Sequence, residues 1–549
     1  MPQIVNFDNK TFIEPVVYSR IISGIINPPI PQEYGTILII DTGLGANYGG
    51  GKGVKTGGSV NTLQDFIYQI NNVQEILSLF KGGALYDISK KFYNPVPGVA
   101  GANKIFVARA SDTTQGTLTL TFTDTKQIVQ KTRDEGIIAN GDITTITAKL
   151  LKGYACKLVA GTIDPTKFKI QYWIGTYKGK DTNGYYYSKE DENTAADSPQ
   201  LLIESDEFTD FQDFIDWAVN NETYNEWFEL DTLNTDTDGV VATADLTLLA
   251  GFNVFAGGTE TYDASALTAV LNAIEELEYT FIFSTEIGAT TNNITILNHI
   301  LNDTKNYKKF LYVGGFATKD ERGNASSTGN TTSIGAAKLF DSEYASVVHG
   351  AIYEPDYRNQ SAFPTIKVQK NAMYKTAMLV GRKAGANPNT TMTYKTLGIL
   401  MEVDPLEKQT DRELLLLYGV LHTRQISEGN VVNMDINTLQ GNKNKYLFNP
   451  NGSSYQNSVM QIEEQVNKTL VFNLTPKIIG QSRSSLSKAE IIEAVNLELT
   501  ALSNINLIIA FGNITAERNG TKWFINYELE VDTPYDGAFI TGVVLDTGN

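Results

Sequence analysis

Apolar positions along this 549-residue chain change period several times, and each change predicts a change of architecture. Residues 1–35 carry Ile4, Phe7, Phe12, Val16 and Tyr18 at loose spacing. Pro15, Pro28, Pro29 and Pro31 oppose a helix there, so an extended arm is expected. GTILIID at 35–41 is a continuous apolar run of the buried-strand kind. Beyond a glycine-rich loop, Leu63, Phe66, Ile67 and Ile70 recur at helical spacing, then Leu85, Ile88 and Phe92, before the strand KIFVARA at 104–110. That grammar predicts an α/β layer over 36–110.

Residues 111–255 alternate with period two in TLTLTFTDT, DITTITAKL, KFKIQYWIGTY and GYYYSKED, with turn signals at Asn140–Gly141 and Asp238–Gly239. A mostly β insertion follows from this, with one acidic helix near Phe208–Trp217. The α/β grammar resumes over 256–364, through a helix at Leu267–Ile274, strand YTFIFS at 279–284, a helix at 293–304, strand KFLYVGG at 309–315 and a strand SVVHGAIYE from Ser346. The layer is therefore discontinuous, with the β region inserted into it. From 365 to 549 the pattern is α+β. Helices are expected over Ala372–Arg382 and Ser458–Leu470, and a third opens at the capping box Ser487–Glu490. Strands NINLIIAFG, TKWFINYELEV and AFITGVVLD close the chain.

Composition adds little until charge is mapped. At 42% hydrophobic and 19% charged the chain is ordinary globular material. No apolar run approaches the ~20 residues that span a bilayer, so no membrane insertion is expected. The opening MPQIVNFDNK lacks a basic and then apolar leader, which predicts folding in a cytoplasm. The net charge of −18 disfavours direct nucleic-acid binding, which needs clustered Lys and Arg. Residues 190–304 hold 24 Asp and Glu and no Lys or Arg, leaving 38 acids against 44 bases elsewhere. A solvated acidic face is the plain reading, and a calcium or partner site the sharper one.

Candidate chemistry fails on spacing. The loop at 43–58 has eight glycines in sixteen positions between a strand and a helix, where phosphate loops sit. A P-loop would need glycine at Ala46 and Ser or Thr at Gly53, and a dinucleotide fingerprint would need glycine at Tyr48. Asp231, Asp236 and Asp238 offer oxygen ligands before Gly239, without the terminal Glu of an EF-hand. His299, His349 and His422 are the three histidines, and no nucleophile motif accompanies them. Cys156 alone permits no internal disulfide and reads as a buried hydrophobe. No catalytic, cofactor or metal residue is therefore assigned. The chain ends are more informative: a proline-rich arm and a terminal strand carrying Phe539, Ile540, Val543, Val544 and Leu545 suit pairing between subunits.

Three segments together resemble the contractile tail sheath family. They are the N-terminal arm running into GTILIID, ILSLFKGGALYDISKKFYNPVPGVAGANKIFVARA at 76–110, and the C-terminal third. The second places Leu79, Phe80, Gly82, Gly83, Phe92 and Arg109 on the family pattern, and the third places Pro534 before its Phe-Ile strand. The family's early Pro-Gly-Val-Tyr is here Pro15-Val16-Val17-Tyr18, and Gly429–Leu439 lacks its Trp and Arg. The resemblance implies a discontinuous α/β core, an outer β insertion and a C-terminal α+β sheath domain with strand-exchanging arms. It implies a homo-oligomeric helical sheath in a virion, around an inner tail tube, with baseplate and tail terminator proteins as further partners. The alternatives are another virion or cell-surface structural protein with an acidic β domain, and an enzyme with an unrecognised site in the α/β layer.

Overall fold

A seven-stranded sheet organises the chain. The computed structural model describes residues 4–7, 10–13, 34–41, 67–72, 75, 83–135, 140–143, 150–175, 179–180, 186–187, 199–231, 239–262, 264–275, 277–303, 307–355, 364–365, 367–439, 455–478, 487–519 and 522–531. Strands β1 (Ile4–Phe7) and β2 (Lys10–Ile13) pair with each other, Ile4 opposite Ile13. The apolar run becomes β3 (Thr36–Asp41), buried at every residue because both its faces are covered. β4 (Ile67–Ile70), helix α1 (Gly83–Tyr93) and β5 (Lys104–Arg109) follow. Beyond the insertion come α2 (Ala264–Ala273), β6 (Phe281–Ile287), α3 (Thr291–Asn302) and β7 (Phe310–Gly314). Then α4 (Ser333–Phe340), β8 (Ala345–Val348), α5 (Ala372–Ala384), α6 (Gln409–Leu417) and β9 (Val420–Leu421) complete the layer.

The strand order is β9-β8-β7-β6-β3-β5-β4, parallel throughout except for β4, which runs antiparallel to β5. Alternation along the strands separates two cores. Ile37, Ile39, Val107, Phe283 and Tyr312 pack with α1 and α5; Leu38, Ile40, Ile282, Val313 and Val347 pack with α2, α3 and α4. Phe92 of α1 meets Phe283 edge-on at 5.0 Å. Each such side chain, fully removed from water, contributes roughly 1.5–3 kcal/mol.

Residues 111–262 leave after β5 and return before α2, and strands Ser111–Thr113 and Glu260–Tyr262 pair at the neck. The hairpin of Gln115–Thr121 with Gln127–Glu135 gains Phe228–Leu230 as a third strand. A second sheet orders 200–204, 168–174, 154–160 and 253–254. Helix Phe211–Asn220 answers the expected acidic helix, and Glu222–Trp227 and Thr243–Leu248 are two that periodicity missed. They are only six residues each, too short to display a 3.6-residue repeat. The two larger sheets and these helices enclose an aromatic core, with Tyr172 and Phe228 at 4.7 Å and Phe228 and Phe255 at 5.3 Å.

The last elements are α7 (Asn457–Ile478), α8 (Lys488–Asn504), β10 (Ala510–Asn519) and β11 (Lys522–Glu530). They enclose an apolar cluster of their own, with Ile462, Val466 and Leu470 against Ile491, Val495 and Leu499. The capping box is formed: Ser487 Oγ accepts from Glu490 N at 3.2 Å, and Glu490 Oε2 from Ser487 N at 2.6 Å. Ser487→Ala is expected to destabilise this unit by about 1 kcal/mol, seen as faster amide exchange in the first turn of α8.

Three expected elements differ. Ile67 and Ile70 lie on β4 rather than a helix, because the edge of β5 offers Tyr68 and its neighbours a pairing partner; Leu63 and Phe66 lie outside the described residues. SVVHGAIYE is two strands in separate sheets, β8 and Ile352–Pro355, broken at Gly350, whose φ is +97°. NINLIIAFG is not a strand until Ala510: Leu507 and Ile508 plug the C-terminal core from a loop that turns at Asn506, φ 57°. AFITGVVLD lies outside the described residues.

Candidate functional site

Parallel α/β sheets place ligands beyond the carboxyl ends of their strands, most often where the strand order reverses. Here that reversal falls between β3 and β6. Its strand ends carry Asp41, Arg109 and Thr285, all fully buried. Arg109 Nε lies 3.6 Å from Asp41 Oδ2, and Thr285 Oγ1 donates to Asp41 Oδ1 at 3.0 Å. The ends are tied to one another, so these polar groups brace the sheet.

Along the same edge, β8 and β9 lead into His349 and His422, each 2% exposed. Ser333 Oγ sits 2.8 Å from His349 Nδ1 and accepts from Phe316 N at 2.9 Å. His422 Nε2 lies 3.1 Å from Asn433 Nδ2. Burial holds both imidazoles below the usual range, His422 down to about 3, and Lys375 adds to the effect on each. Both histidines are therefore neutral at pH 7. Lys375 Nζ donates to His349 O at 3.0 Å, Glu402 Oε1 at 2.7 Å and Thr423 Oγ1 at 2.9 Å.

A second buried ion pair joins Lys383 to Asp435. Asp435 also accepts from Met392 N and Asn457 Nδ2, each at 3.0 Å, which fastens α5 to the first turn of α7. Burial lowers the Lys383 pKa and Asp435 opposes that shift. Sequence reading passed over both networks. The signal was present in AMYKTAMLVGRKA, where Lys375 and Lys383 put charges into an almost wholly buried helix. Among the described residues no three His, Cys, Asp or Glu side chains converge as metal ligands. Cys156 is buried in the insertion, where desolvation pushes its thiol pKa up.

Part of the acidic stretch is used internally. Some of its carboxylates pair with bases from outside it: Glu204 with Lys169 at 3.0 Å, Glu229 with Arg133 at 2.6 Å, and Asp231 with Lys131 at 3.1 Å. Asp303 meets Lys309 at 3.0 Å and Glu278 meets Lys468 at 3.2 Å. Glu207 accepts from the backbone N–H groups of Thr162, Ile163 and Asp164 at 2.6–3.1 Å. Asp236 and Asp238 lie outside the described residues.

Among the described residues the longest two-stranded ribbon is the hairpin of β10 and β11, strands of ten and nine residues that pair with each other. No third strand joins either one among the described residues. One face carries Phe511, Ile514, Trp523, Ile525, Tyr527 and Leu529, only half-buried against α7 and α8. The other presents Glu517, Phe524, Asn526, Glu528 and Glu530 to solvent. Among the described residues this ribbon keeps both edges and part of its apolar face available for further strands.

Of the residues that carried the resemblance, Gly83 opens α1, Phe92 is in the core and Arg109 is the buried partner of Asp41. Ile4, Phe7 and Phe12 lie on the β1–β2 pair. Val16, Tyr18, Leu79, Phe80, Gly82, Pro534, Phe539, Ile540, Val543, Val544 and Leu545 lie outside the described residues.

No family model matches the chain, and no curated protein matches it in sequence. Solved structures do match its fold. The sheath tail protein of Desulfitobacterium hafniense superposes with a TM-score of 0.56 at 13% identity, covering 91% of this chain and 97% of its own. The sheath tail protein of Listeria innocua gives 0.53 at 13% identity, covering 91% and 92%. The chain thus has the mixed α/β multidomain fold of sheath tail proteins.

Proposed function

We infer that this chain is the structural subunit of a contractile tail sheath, and that it works without an active site. The β10–β11 hairpin carries the reading: two long strands with open edges, on a separately packed unit, in a chain with the fold of sheath tail proteins. In this reading the edges receive strands from neighbouring subunits. The donors are the N-terminal arm, with Ile4, Phe7, Phe12, Val16 and Tyr18, and the final segment, with Phe539, Ile540, Val543, Val544 and Leu545. The parts divide as arm 1–35, core 36–110 and 256–364, inserted outer domain 111–255, and sheath domain 365–549. Subunits stack as a helical sheath around an inner tube, between baseplate and terminator proteins, in a virion or phage-like particle. Collapse from an extended lattice to a shorter, wider one drives the tube through a target envelope.

Expression of the full chain followed by negative-stain microscopy tests this. Long hollow tubes are expected. Deleting residues 1–20 or 537–549 is expected to leave folded monomers that no longer polymerise. Tubes from either truncation would refute strand exchange, and monodisperse monomers of the intact chain at every salt concentration would refute the sheath reading.

A further inference from the structure

Helix α7 has two unlike sides. Ile462, Val466, Leu470 and Leu474 pack into the C-terminal cluster with α8 and the hairpin. The side turned to the sheet is polar: Ser458, Gln461, Glu464, Gln465 and Lys468 recur at helical spacing, all 1–8% exposed. Glu464 accepts from Lys308 N at 2.7 Å and from Tyr344 OH at 2.8 Å. Gln461 Nε2 reaches Tyr312 OH at 3.4 Å, and Lys468 pairs with Glu278. Ser458 Oγ, Gln461 Oε1 and Gln465 Nε2 are buried with no hydrogen-bond partner among the described residues. A single ring pair, Tyr307 with Phe472 at 6.1 Å, crosses at the far end among those residues.

Such a seam is poorly complementary, because each buried polar group without a partner keeps its desolvation cost. Its carboxylates show the same dryness: burial raises the pKa of Glu464, and burial and then Glu464 raise that of Glu463. Outside the seam the contacts are firmer. The first turn of α7 is fixed to the core by Asn457, bonded to Asp435 and to Ile436 O at 2.8 Å, and by Met460. The hairpin is fixed to α7 by Tyr527 OH, which donates to Asn467 Oδ1 at 2.5 Å.

We propose that α7, α8 and the hairpin form one rigid body that swings on the α/β core about the first turn of α7, with the Gln461–Lys468 seam as its latch. The subunit then has an internal joint between its sheet and the edges of the β10–β11 hairpin. Within a sheath, a conclusion that rests on the functional reading above, the joint lets strand-linked hairpins hold their neighbours while the cores rearrange.

Thiol labelling of a Gln465→Cys variant of the full-length chain under native conditions tests the joint without any assembly. Position 465 is 5% exposed in the closed seam and Cys156 is buried in the insertion, so one chain carries both the reporter and its control. A rigid swing opens the seam without breaking backbone bonds inside either body, so the introduced thiol is expected to react at least about 10-fold faster than Cys156. Adding Gln461→Met, which removes one unpartnered amide, is expected to slow that labelling about 10-fold, and adding Glu464→Ala to speed it about 10-fold, with Cys156 unchanged. Labelling of the introduced thiol no faster than that of Cys156 would overturn the proposal, as would variants that shift both thiols equally. Because the measurement precedes assembly, its failure leaves the sheath reading standing.

Discussion

Lys383→Ala is expected to destabilise the α/β core by about 3–5 kcal/mol, the cost of leaving a buried charge without its partner. Lys383 and Asp435 are 1% and 0% exposed, so water cannot replace the lost ammonium. Asp435 also holds Met392 N and Asn457 Nδ2, and the damage should spread to the first turn of α7. The denaturant midpoint of the transition reporting the parallel sheet reads the effect. Lys383→Met combined with Asp435→Asn removes both charges and should recover much of the loss. A Lys383→Ala midpoint within 0.5 kcal/mol of the unaltered chain would show that Asp435 finds another partner on the timescale of folding.

The second large effect is acid lability. Folding holds the pKa values of His349 and His422 below the ordinary 6.5, first through burial, then through cations that include Lys375. Arg322 adds to this at His349, and Arg412 and Arg424 at His422. The sign follows from linkage. Below about pH 6.5 the unfolded chain takes up protons that the folded chain refuses, so stability falls with pH. The loss approaches about 1.4 kcal/mol per group per pH unit once the unfolded imidazoles are fully protonated, which makes roughly 2.4 kcal/mol for the pair between pH 6 and pH 5. Glu463 and Glu464, raised by burial, work in the opposite direction. Urea midpoints across that range should therefore be compared with those of a His349→Asn, His422→Gln double variant. Asn can keep the bond at Nδ1 to Ser333, and Gln the bond at Nε2 to Asn433. The variant's profile is expected to be flatter, and an equal slope in both proteins would exclude the histidines as its source.

Much of the sheet was legible in advance because local pattern and tertiary role agree there. GTILIID, KIFVARA, YTFIFS and KFLYVGG became β3, β5, β6 and β7, since a strand covered on both faces must be apolar along its length. The Ser487 box formed as written because capping is settled within four residues. Pattern misled where a neighbour decided the outcome. Ile67 and Ile70 suit a helical face or an edge strand, and only the adjacent β5 selects the strand. Leu507 and Ile508 look like a strand and serve as a plug.

Candidate chemistry divides in the same way. Sequence alone established the scarcity of histidine, the lone cysteine, the failed nucleotide spacings and the base-free stretch from 190 to 304. It could not show that Glu204, Glu229, Asp231, Glu278 and Asp303 of that stretch pair with Lys169, Arg133, Lys131, Lys468 and Lys309 from outside it. Nor could it show that Lys375 and Lys383 meet buried carboxylates, or that α7 turns a polar side inward. Propensity, capping and apolar period act over a few residues, and the sequence by itself determines them. Charge pairing, edge exposure and the choice of which helix face lies against the sheet join residues up to hundreds of positions apart, and only the tertiary structure decides those.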